Sequence, residues 1–191
     1  MRNPVGAAVL RPEKTASITE AVLAELAEVG YARLSMESVA RRAGVGKSAL
    51  YRRWPGKVAM ATAAIGEWAV PAAPRPDTGS LRGDIRVMVE GMVAWLSHPL
   101  ISRILPDMLA EAAREPAVAA AFRDNVTTPR RDAVRGVLER AAARGELGVS
   151  VDLALDLLGA PVYWRMSVRQ EDHGPEYLDE LVEALVRAIC T

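Results

Sequence analysis

Cysteine and aromatic residues are scarce in this chain, and their scarcity excludes several classes of protein. Cys190 is the single cysteine among 191 residues. An internal disulfide therefore cannot form, and such a count is typical of proteins in a reducing cytoplasm. Aromatic residues make up 5% of the sequence, whereas half of all residues are apolar. With one phenylalanine and much alanine and leucine, this composition favours an all-α protein over a sheet.

Long hydrophobic runs are also missing. The sequence contains no apolar stretch of about 18 residues, the length that a transmembrane helix needs. The N-terminus lacks the charged and then apolar pattern of a secretory leader. We therefore expect a cytoplasmic protein with no membrane partner.

Motifs for catalysis and metal binding are absent as well. The two histidines, His98 and His173, lie far apart and have no paired cysteines beside them, so a zinc site is not expected. The Gly-Lys-Ser run at 46–48 imitates the end of a phosphate-binding loop, but Arg41 occupies the place of the first glycine and no strand precedes it. We expect no enzyme activity, no cofactor and no metal.

Charge is divided unevenly along the chain, although the total is zero. Residues 1–57 hold ten basic and five acidic residues, a net charge of +5. Residues 58–191 hold fourteen basic and nineteen acidic residues, a net charge of −5. This asymmetry predicts an N-terminal region that faces nucleic acid. The alternative is that the basic residues form a solvated face with no partner.

The segment 35–57, SMESVARRAGVGKSALYRRWPGK, carries the most specific pattern. Ser35 is a good N-cap for one short helix, and Gly44 can adopt the positive φ that ends it. A second short helix is predicted over 46–53, with Leu50 and Trp54 on its inner face. Its outer face carries Lys47, Ser48, Tyr51 and Arg52. Two short helices joined by a tight glycine turn predict a DNA-reading helix-turn-helix.

The same segment resembles the DNA-binding domain of TetR-type transcriptional regulators, whose usual pattern is T-x-x-x-I-A-x-x-A-G-V-S-x-G-T-L-Y-x-H-F-x-x-K. The stretch YRRWPGK is similar to a subgroup with tryptophan at the aromatic position. The matching residues are Ser35, Val39, Ala40, Ala43, Gly44, Val45, Leu50, Tyr51, Trp54 and Lys57. Gly46, Ser48 and Ala49 depart from the pattern at the start of the reading helix, which leaves the operator sequence open. Arg53 replaces the usual histidine.

The resemblance is strong over residues 13–70 and implies both an architecture and a function. The expected fold is all-α, with about nine helices. It has a flexible arm at 1–12, a helix-turn-helix DNA-binding domain at 13–70 and an effector-binding and dimerisation domain at 71–191. The expected function is a DNA-binding transcriptional regulator, a repressor released from a palindromic operator by a small apolar or aromatic effector. The alternative is a helical dimeric interaction module without DNA binding.

Hydrophobic periodicity, glycine and proline predict the individual helices. A bend is expected at 71–80, which contains three prolines. Pro129 is expected to kink or split the longest helix. The predicted helices are 13–29, 35–43, 46–53, 55–69, 81–96, 106–114, 116–144, 151–169 and 176–189.

Residues that contact double-stranded operator DNA are expected on the helix-turn-helix. Lys47 and Arg52 are the expected base readers, since long cationic side chains suit guanine edges. Lys57, at a helix N-terminus, is expected to touch phosphate. The full candidate set is Ser35, Lys47, Ser48, Tyr51, Arg52, Arg53 and Lys57.

The last two predicted helices carry an apolar stripe that is wider than one neighbouring helix needs. Such hairpins can pair as a four-helix bundle, so a homodimer is expected, in agreement with the resemblance. The alternative is that the stripe is core within one chain. The candidate interface residues are Leu153, Leu157, Gly159, Ala160, Leu178, Leu181, Val182, Leu185 and Ile189.

Large, soft or aromatic side chains cluster in the middle helices, where the resemblance implies a cavity for a small-molecule effector. Methionine and tryptophan suit the wall of such a cavity, although both are also common in ordinary cores. The candidate lining is Met88, Met92, Trp95, Met108, Leu109, Phe122, Val126, Tyr163, Trp164 and Met166. Because the charge pattern singles out no buried ion partner, we expect a mostly apolar or aromatic ligand.

Overall fold

The computed structural model describes residues 12–190, with side chains described for residues 15–190. The arm predicted at 1–12 falls outside them, except for Pro12, at which the first helix begins. The described residues form ten α-helices and two π-helical turns, and α7 runs through the first π turn into α8. The α-helices are α1 Pro12–Arg33, α2 Met36–Arg42, α3 Lys47–Arg53, α4 Lys57–Ala69, α5 Leu81–Ser97, α6 Ile101–Arg114, α7 Pro116–Phe122, α8 Thr128–Ala143, α9 Val151–Tyr163 and α10 Pro175–Ile189, and the π turns are Arg123–Thr127 and Trp164–Val168. The all-α prediction is confirmed.

The helix-turn-helix is formed by α2 and α3, at the positions that the sequence predicts. Ser35 caps α2 by accepting a hydrogen bond from the Ser38 amide at 3.0 Å. Gly44 has a φ of +64°, the left-handed conformation that lets the chain turn tightly before α3. Leu50 and Trp54 are buried, so α3 is anchored by its inner face and presents its outer face to solvent.

Helix α6 begins earlier than predicted. It starts at Ile101, and Pro106 lies within it instead of opening it. Ile101, Ile104 and Met108 are all buried and recur at helical spacing. A core-facing stripe of this kind stabilises the helix through its first turns despite the missing proline N–H.

A π turn at Arg123–Thr127 stands where proline was expected to kink the longest helix. Pro129 has no N–H, so the carbonyl of Asn125 lacks its usual helical donor. That carbonyl approaches Gly66 of α4 so closely that a Cβ at Gly66 would lie 2.3 Å from it. The side-chain Nδ2 of Asn125 also donates to Thr62 Oγ1 at 3.2 Å. Together these contacts join the π turn to α4.

Helices α1 and α4 connect the helix-turn-helix to the rest of the molecule. Helix α1 packs against α4 and α6, and α4 packs against α7 and the first π turn. The Tyr31 amide at the end of α1 donates to the carboxylate of Asp107 on α6. Buried side chains from both ends of the described chain form one continuous core. None of the described helices combines the length and apolarity needed to cross a bilayer.

Candidate nucleic-acid interface and internal cavity

The outer face of α3 is exposed, as the sequence predicts. Tyr51 is 49% exposed, and Lys47, Ser48 and Arg52 are exposed beside it. Lys47 forms an ion pair with Glu37 across the turn. Arg52 forms no ion pair or hydrogen bond with any described residue. Arg52 therefore presents an unneutralised guanidinium on the surface of the reading helix.

Arg53, the next residue, is used differently. Its guanidinium donates to Thr15 Oγ1 and to Glu67 Oε1, both at 2.8 Å. It also lies over the Trp54 ring, 4.6 Å from the ring centroid. These contacts join α1, the end of α3 and α4, so the structure gives Arg53 an internal structural role.

Lys57 is also engaged inside the protein. Its Nζ donates to the carbonyls of Tyr31 and Ala32 at 3.1 and 3.3 Å. The same ammonium lies 4.3 Å from the centroid of the Tyr31 ring. Lys57 thus holds the start of α4 against the end of α1, and its charge is already partly offset by protein groups.

On α2, as on α3, one of two adjacent arginines is paired with acidic residues and the other is not. Arg42 forms ion pairs with Glu25, at 2.8 Å, and with Glu28. Burial alone would raise the pKa of Glu25, but hydrogen bonds from Ser38 and Arg42, together with the positive charges of Arg42 and Arg41, more than offset it, and the pKa is lowered. Arg41 is exposed and forms no ion pair among the described residues. The sequence did not single out Arg41, because it does not show which arginine finds acidic partners.

A cavity of about 500 Å³ lies among the helices of the C-terminal region. Its wall is mostly apolar and comes from α5, α6, α7, α8, α9, the first π turn and the bend before α5. The lining residues are Ala73, Pro74, Met88, Met92, Trp95, Leu105, Leu109, Phe122, Val126, Thr127, Arg130, Arg131, Val134, Leu155, Leu158, Gly159 and Tyr163. Seven of the ten residues proposed from the sequence are in this wall: Met88, Met92, Trp95, Leu109, Phe122, Val126 and Tyr163.

Three residues of the predicted lining lie elsewhere. Met108 is fully buried in the core and does not line the cavity, and Met166 is partly buried away from it. Trp164 is 59% exposed on the surface. Trp164 follows Ala160 by four positions and so shares the exposed face of the helix, whereas Tyr163, one position earlier, lies on the face that lines the cavity. Gly159, expected at a dimer surface, lines the cavity.

The cavity also contains a charged group that the sequence analysis did not identify. Arg130, in the first turn of α8, donates through Nη1 to the carbonyl of Ala69 at the end of α4. Its guanidinium lies 4.2 Å from the centroid of the Trp95 ring. No carboxylate of the described residues pairs with it, and burial lowers the pKa of Arg130 to about 10. It is therefore still a cation at neutral pH.

A second unmet polar group stands in the same wall. Trp95 Nε1 is buried and has no hydrogen-bond partner among the described residues. Arg131, next to Arg130, lines the cavity too, but it pairs with Asp156 at 2.7 Å. The wall contains no acidic residue. Arg130 and Trp95 Nε1 are therefore donors to which the wall offers no anion.

An apolar stripe is exposed on α9 and the π turn that follows it. Leu153, Trp164 and Val168 are 48%, 59% and 49% exposed, and Ala160 is exposed between them. Leu157 completes the stripe and is partly buried. The residues recur every three or four positions, so they share one face of the helix.

Helix α10 contributes less surface than predicted. Val182, Leu185 and Ile189 are at most 4% exposed, because α10 packs on α5 and α9 of the same chain. These three are core residues of the chain, and the surface prediction included them because periodicity alone does not show which neighbour a stripe meets. Leu178 and Leu181 are partly buried at the edge of the same helix.

Both parts of the chain match models of one family. The model described as "Bacterial regulatory proteins, tetR family" matches residues 18–64. The model described as "Tetracyclin repressor-like, C-terminal domain" matches residues 75–185, more than half of the chain. The chain belongs to the TetR family of transcriptional regulators. It is therefore a DNA-binding regulator whose N-terminal region contains a helix-turn-helix.

Individual relatives and a solved structure support the assignment of this chain to the TetR family. The chain is 32% identical over 143 residues to the DNA-binding transcriptional repressor TetR of Mycobacteroides abscessus, covering 74% of this chain and 75% of that one. It is 25% identical to the HTH-type transcriptional regulator YdeS of Bacillus subtilis, over 82% and 80% of the two chains. The crystal structure of the TetR family transcription regulator SCO0332 superposes with a TM-score of 0.76 at 29% identity, covering 94% of this chain and all of that one.

Proposed function

We propose that this regulator is a homodimeric repressor that leaves a palindromic operator when a small amphipathic molecule enters the cavity. In this proposal, residues 13–70 bind DNA, and residues 71–191 hold the ligand and form the dimer. The observation that carries the proposal is the position of the cavity wall. Phe122 of α7 and Val126 and Thr127 of the first π turn line the cavity, and both α7 and this turn pack against α4.

Helix α4 gives a physical route from the cavity to DNA. It begins four residues after α3 ends, and Lys57 ties its start to α1. Its far end is held by Arg130 from the cavity wall, and Gly66, in its last turn, meets the Asn125 carbonyl. A ligand that changes the cavity wall would therefore move α4 and, in a dimer, change the separation of the two reading helices. The ligand acts by binding the DNA-incompetent state more tightly.

On the DNA side, Arg52 supports the proposal most directly. A free guanidinium on an exposed reading helix is suited to a guanine edge in the major groove. Ser48, Tyr51 and Lys47 surround it on the same face. Arg41 on α2 is suited to a phosphate, since the first helix of such a motif crosses the backbone. Arg53 and Lys57 support this face from inside.

For the dimer, the exposed stripe on α9 supports the proposal. Trp164 and Leu153 present apolar surface that one chain leaves uncovered. A second copy would cover it with the same stripe, as a two-fold interface requires. Such a dimer places two reading helices on a pseudo-palindromic site with half-sites about one turn or slightly more apart.

The experiment that tests the function starts from genomic DNA fragments selected by the purified protein. Fragments that bind are expected to contain a palindrome, and small molecules are then screened for release of the protein from it. A ligand that releases DNA must lose affinity in the presence of operator by the same factor. Leu109→Trp, which fills the cavity, should bind DNA normally and ignore the ligand. Val87→Trp, at an exposed position on α5, should respond as the natural protein does.

A separate experiment tests the dimer. Trp164→Glu should yield monomers in sedimentation, because a buried unpaired carboxylate costs several kcal/mol. Trp164 is exposed in the single chain, so the substitution spares the chain's own fold; Leu185→Glu would instead damage the core. Val87→Glu is the matched control on another helix. A dimer that survives Trp164→Glu and Leu153→Glu together would move the interface away from α9.

A further inference from the structure

Arg130 is a cation in the cavity wall, and no carboxylate of residues 15–190 pairs with it. Removing a charge from water is costly unless an opposite charge or several hydrogen bonds replace the lost solvent. Arg130 receives one carbonyl, that of Ala69, and one aromatic face, that of Trp95. A guanidinium has five N–H donors, so most of them are unused. The cavity wall supplies no carboxylate to complete them.

A purely structural role explains this arrangement less well. An arginine that caps a helix C-terminus gains from the helix dipole, and the Ala69 carbonyl provides that gain in part. However, the two arginines of α8 nearest to Arg130 pair with carboxylates, and Arg140, further along the helix, donates to two carbonyls, those of Gly136 and Pro76. Arg131 pairs with Asp156 at 2.7 Å, and Arg135 pairs with Asp152 at 2.6 Å. Arg130, alone of the three, faces the cavity without such a partner.

We propose that the cavity binds an amphipathic carboxylate, with the acid group at Arg130 and an apolar body against the methionine and leucine side chains of the wall. The planar guanidinium fork matches a carboxylate with two parallel hydrogen bonds. The cavity of about 500 Å³ is large enough for a small organic acid. The buried N–H of Trp95 lies in the same wall and can serve as a further donor if the ring shifts towards the ligand.

This inference rests on the proposed function and adds the means of release. The carboxylate competes with the Ala69 carbonyl for the same guanidinium. When Arg130 turns to the ligand, the end of α4 loses the hydrogen bond that joins it to α8. The ligand therefore acts on the helix that carries the DNA-reading unit. A neutral ligand of the same shape would fill the cavity without drawing Arg130 from Ala69.

The test compares matched probes on the full-length protein by calorimetric titration. The probes are decanoate, 2-naphthoate, the primary amide of each acid, and decylamine. Each carboxylate is expected to bind at least about tenfold more tightly than its amide, equivalent to about 1.4 kcal/mol. Decylamine is expected to bind most weakly. In Arg130→Met, the preference for acid over amide should disappear while the amides bind as before.

Two controls make the result decisive. Arg135→Met removes one cation from the same helix outside the cavity wall and should keep the preference for the acid. Trp95→Phe keeps the ring but removes its N–H, and it should weaken the acids by a smaller factor. Amides that bind as tightly as acids, or a preference that survives Arg130→Met, would overturn this inference alone. If neither acids nor amides bind, the ligand cavity of the proposed function fails together with it.

Discussion

Three pairs of adjacent arginines, two in the helix-turn-helix and one at the cavity, differ in the same way. Arg42, Arg53 and Arg131 each pair with a carboxylate of the chain. Their neighbours Arg41, Arg52 and Arg130 have no ion pair among the described residues. Each neutralised arginine joins two helices through its carboxylate partner, whereas Arg41 and Arg52 lie exposed on the proposed DNA side and Arg130 lies in the cavity wall. In these three pairs, the arginine without an ion pair is the one for which we propose a partner outside the chain.

The free-energy cost of an unpaired cation differs between the helix-turn-helix and the cavity. Arg41 and Arg52 are exposed, so water solvates them and their cost is small. Arg130 is half-buried, and the lowered pKa shows that its charged form is disfavoured by desolvation. Unpaired cations on the surface therefore cost little folding stability, whereas the unpaired cation in the cavity lowers the stability of the fold. Such a loss of stability is expected where function requires the residue.

The first prediction tests whether the two regions are joined as the comparison assumes. Gly66→Ala would place a Cβ 2.3 Å from the Asn125 carbonyl, which neither backbone can relieve without moving. We expect the free energy of unfolding to fall by about 3 kcal/mol, the upper end of the range for overpacking. We also expect bound ligand to have a smaller effect on operator affinity. Urea unfolding measures the first effect, and the change in operator affinity at saturating ligand measures the second.

Gly136→Ala is the control for this substitution. Gly136 lies within α8 with open space around a Cβ, so alanine there should stabilise the helix by about 0.5–1 kcal/mol. Equal behaviour of the two variants would show that the contact between α4 and the π turn is loose, and α4 would not be the route between cavity and DNA.

The second prediction separates the paired from the unpaired arginine of α3. Arg52→Ala should weaken operator binding by about 1–3 kcal/mol and relax the preference at one base pair, with no change in melting temperature. Arg53→Ala should lower the melting temperature, because it releases Thr15 and Glu67, while sequence preference is kept. Binding to a set of single-base operator variants measures both. An Arg52 variant with full preference would remove Arg52 from the base-reading face.

These arginine pairs show which features can be predicted from the sequence and which cannot. The class, the helix-turn-helix and most helix positions follow from local features: the Ser35 cap, the Gly44 turn and the apolar period. Seven cavity residues were also found, because large soft side chains at helical spacing face inward. The residue types along the chain, however, do not show that Arg53 is paired and Arg52 is not. The partner Glu67 lies 14 positions away and meets Arg53 only in the folded chain, in which α4 packs on α1.

The same limit applies to the cavity. Arg130 meets Ala69 across 61 positions, and Trp95 comes from yet another helix. The expectation of a ligand without an ion partner was based on charge along the sequence, which carries no information on burial. Trp164 was misplaced because its size suggested a cavity wall, although its spacing from Ala160 puts it on the exposed face of the helix. Tertiary contacts, not propensity, decide these positions.

The third prediction concerns the stability cost at the cavity. Arg130→Met should stabilise the protein by about 1 kcal/mol at neutral pH, since an apolar side chain of similar length removes a disfavoured charge. The folded-state pKa is lowered to about 10, so the cost is present below that pH. The gain should therefore shrink as pH rises above about 10. Arg131→Met, which breaks a surface ion pair, should change stability by less than about 1 kcal/mol in the other direction.

The last and smallest effect is expected at α2. Arg41→Ala removes a free cation placed for a phosphate, so it should weaken binding to all DNA sequences alike and reduce the salt dependence by about one counter-ion. Arg42→Ala removes a cation of equal charge that is already paired with Glu25 and Glu28. Its salt slope should stay near that of the natural protein, while its melting temperature falls. Affinity measured over a range of salt concentrations gives both slopes. If the two variants share one slope, long-range charge alone governs binding, and the pairing of an arginine would not predict its contact with DNA.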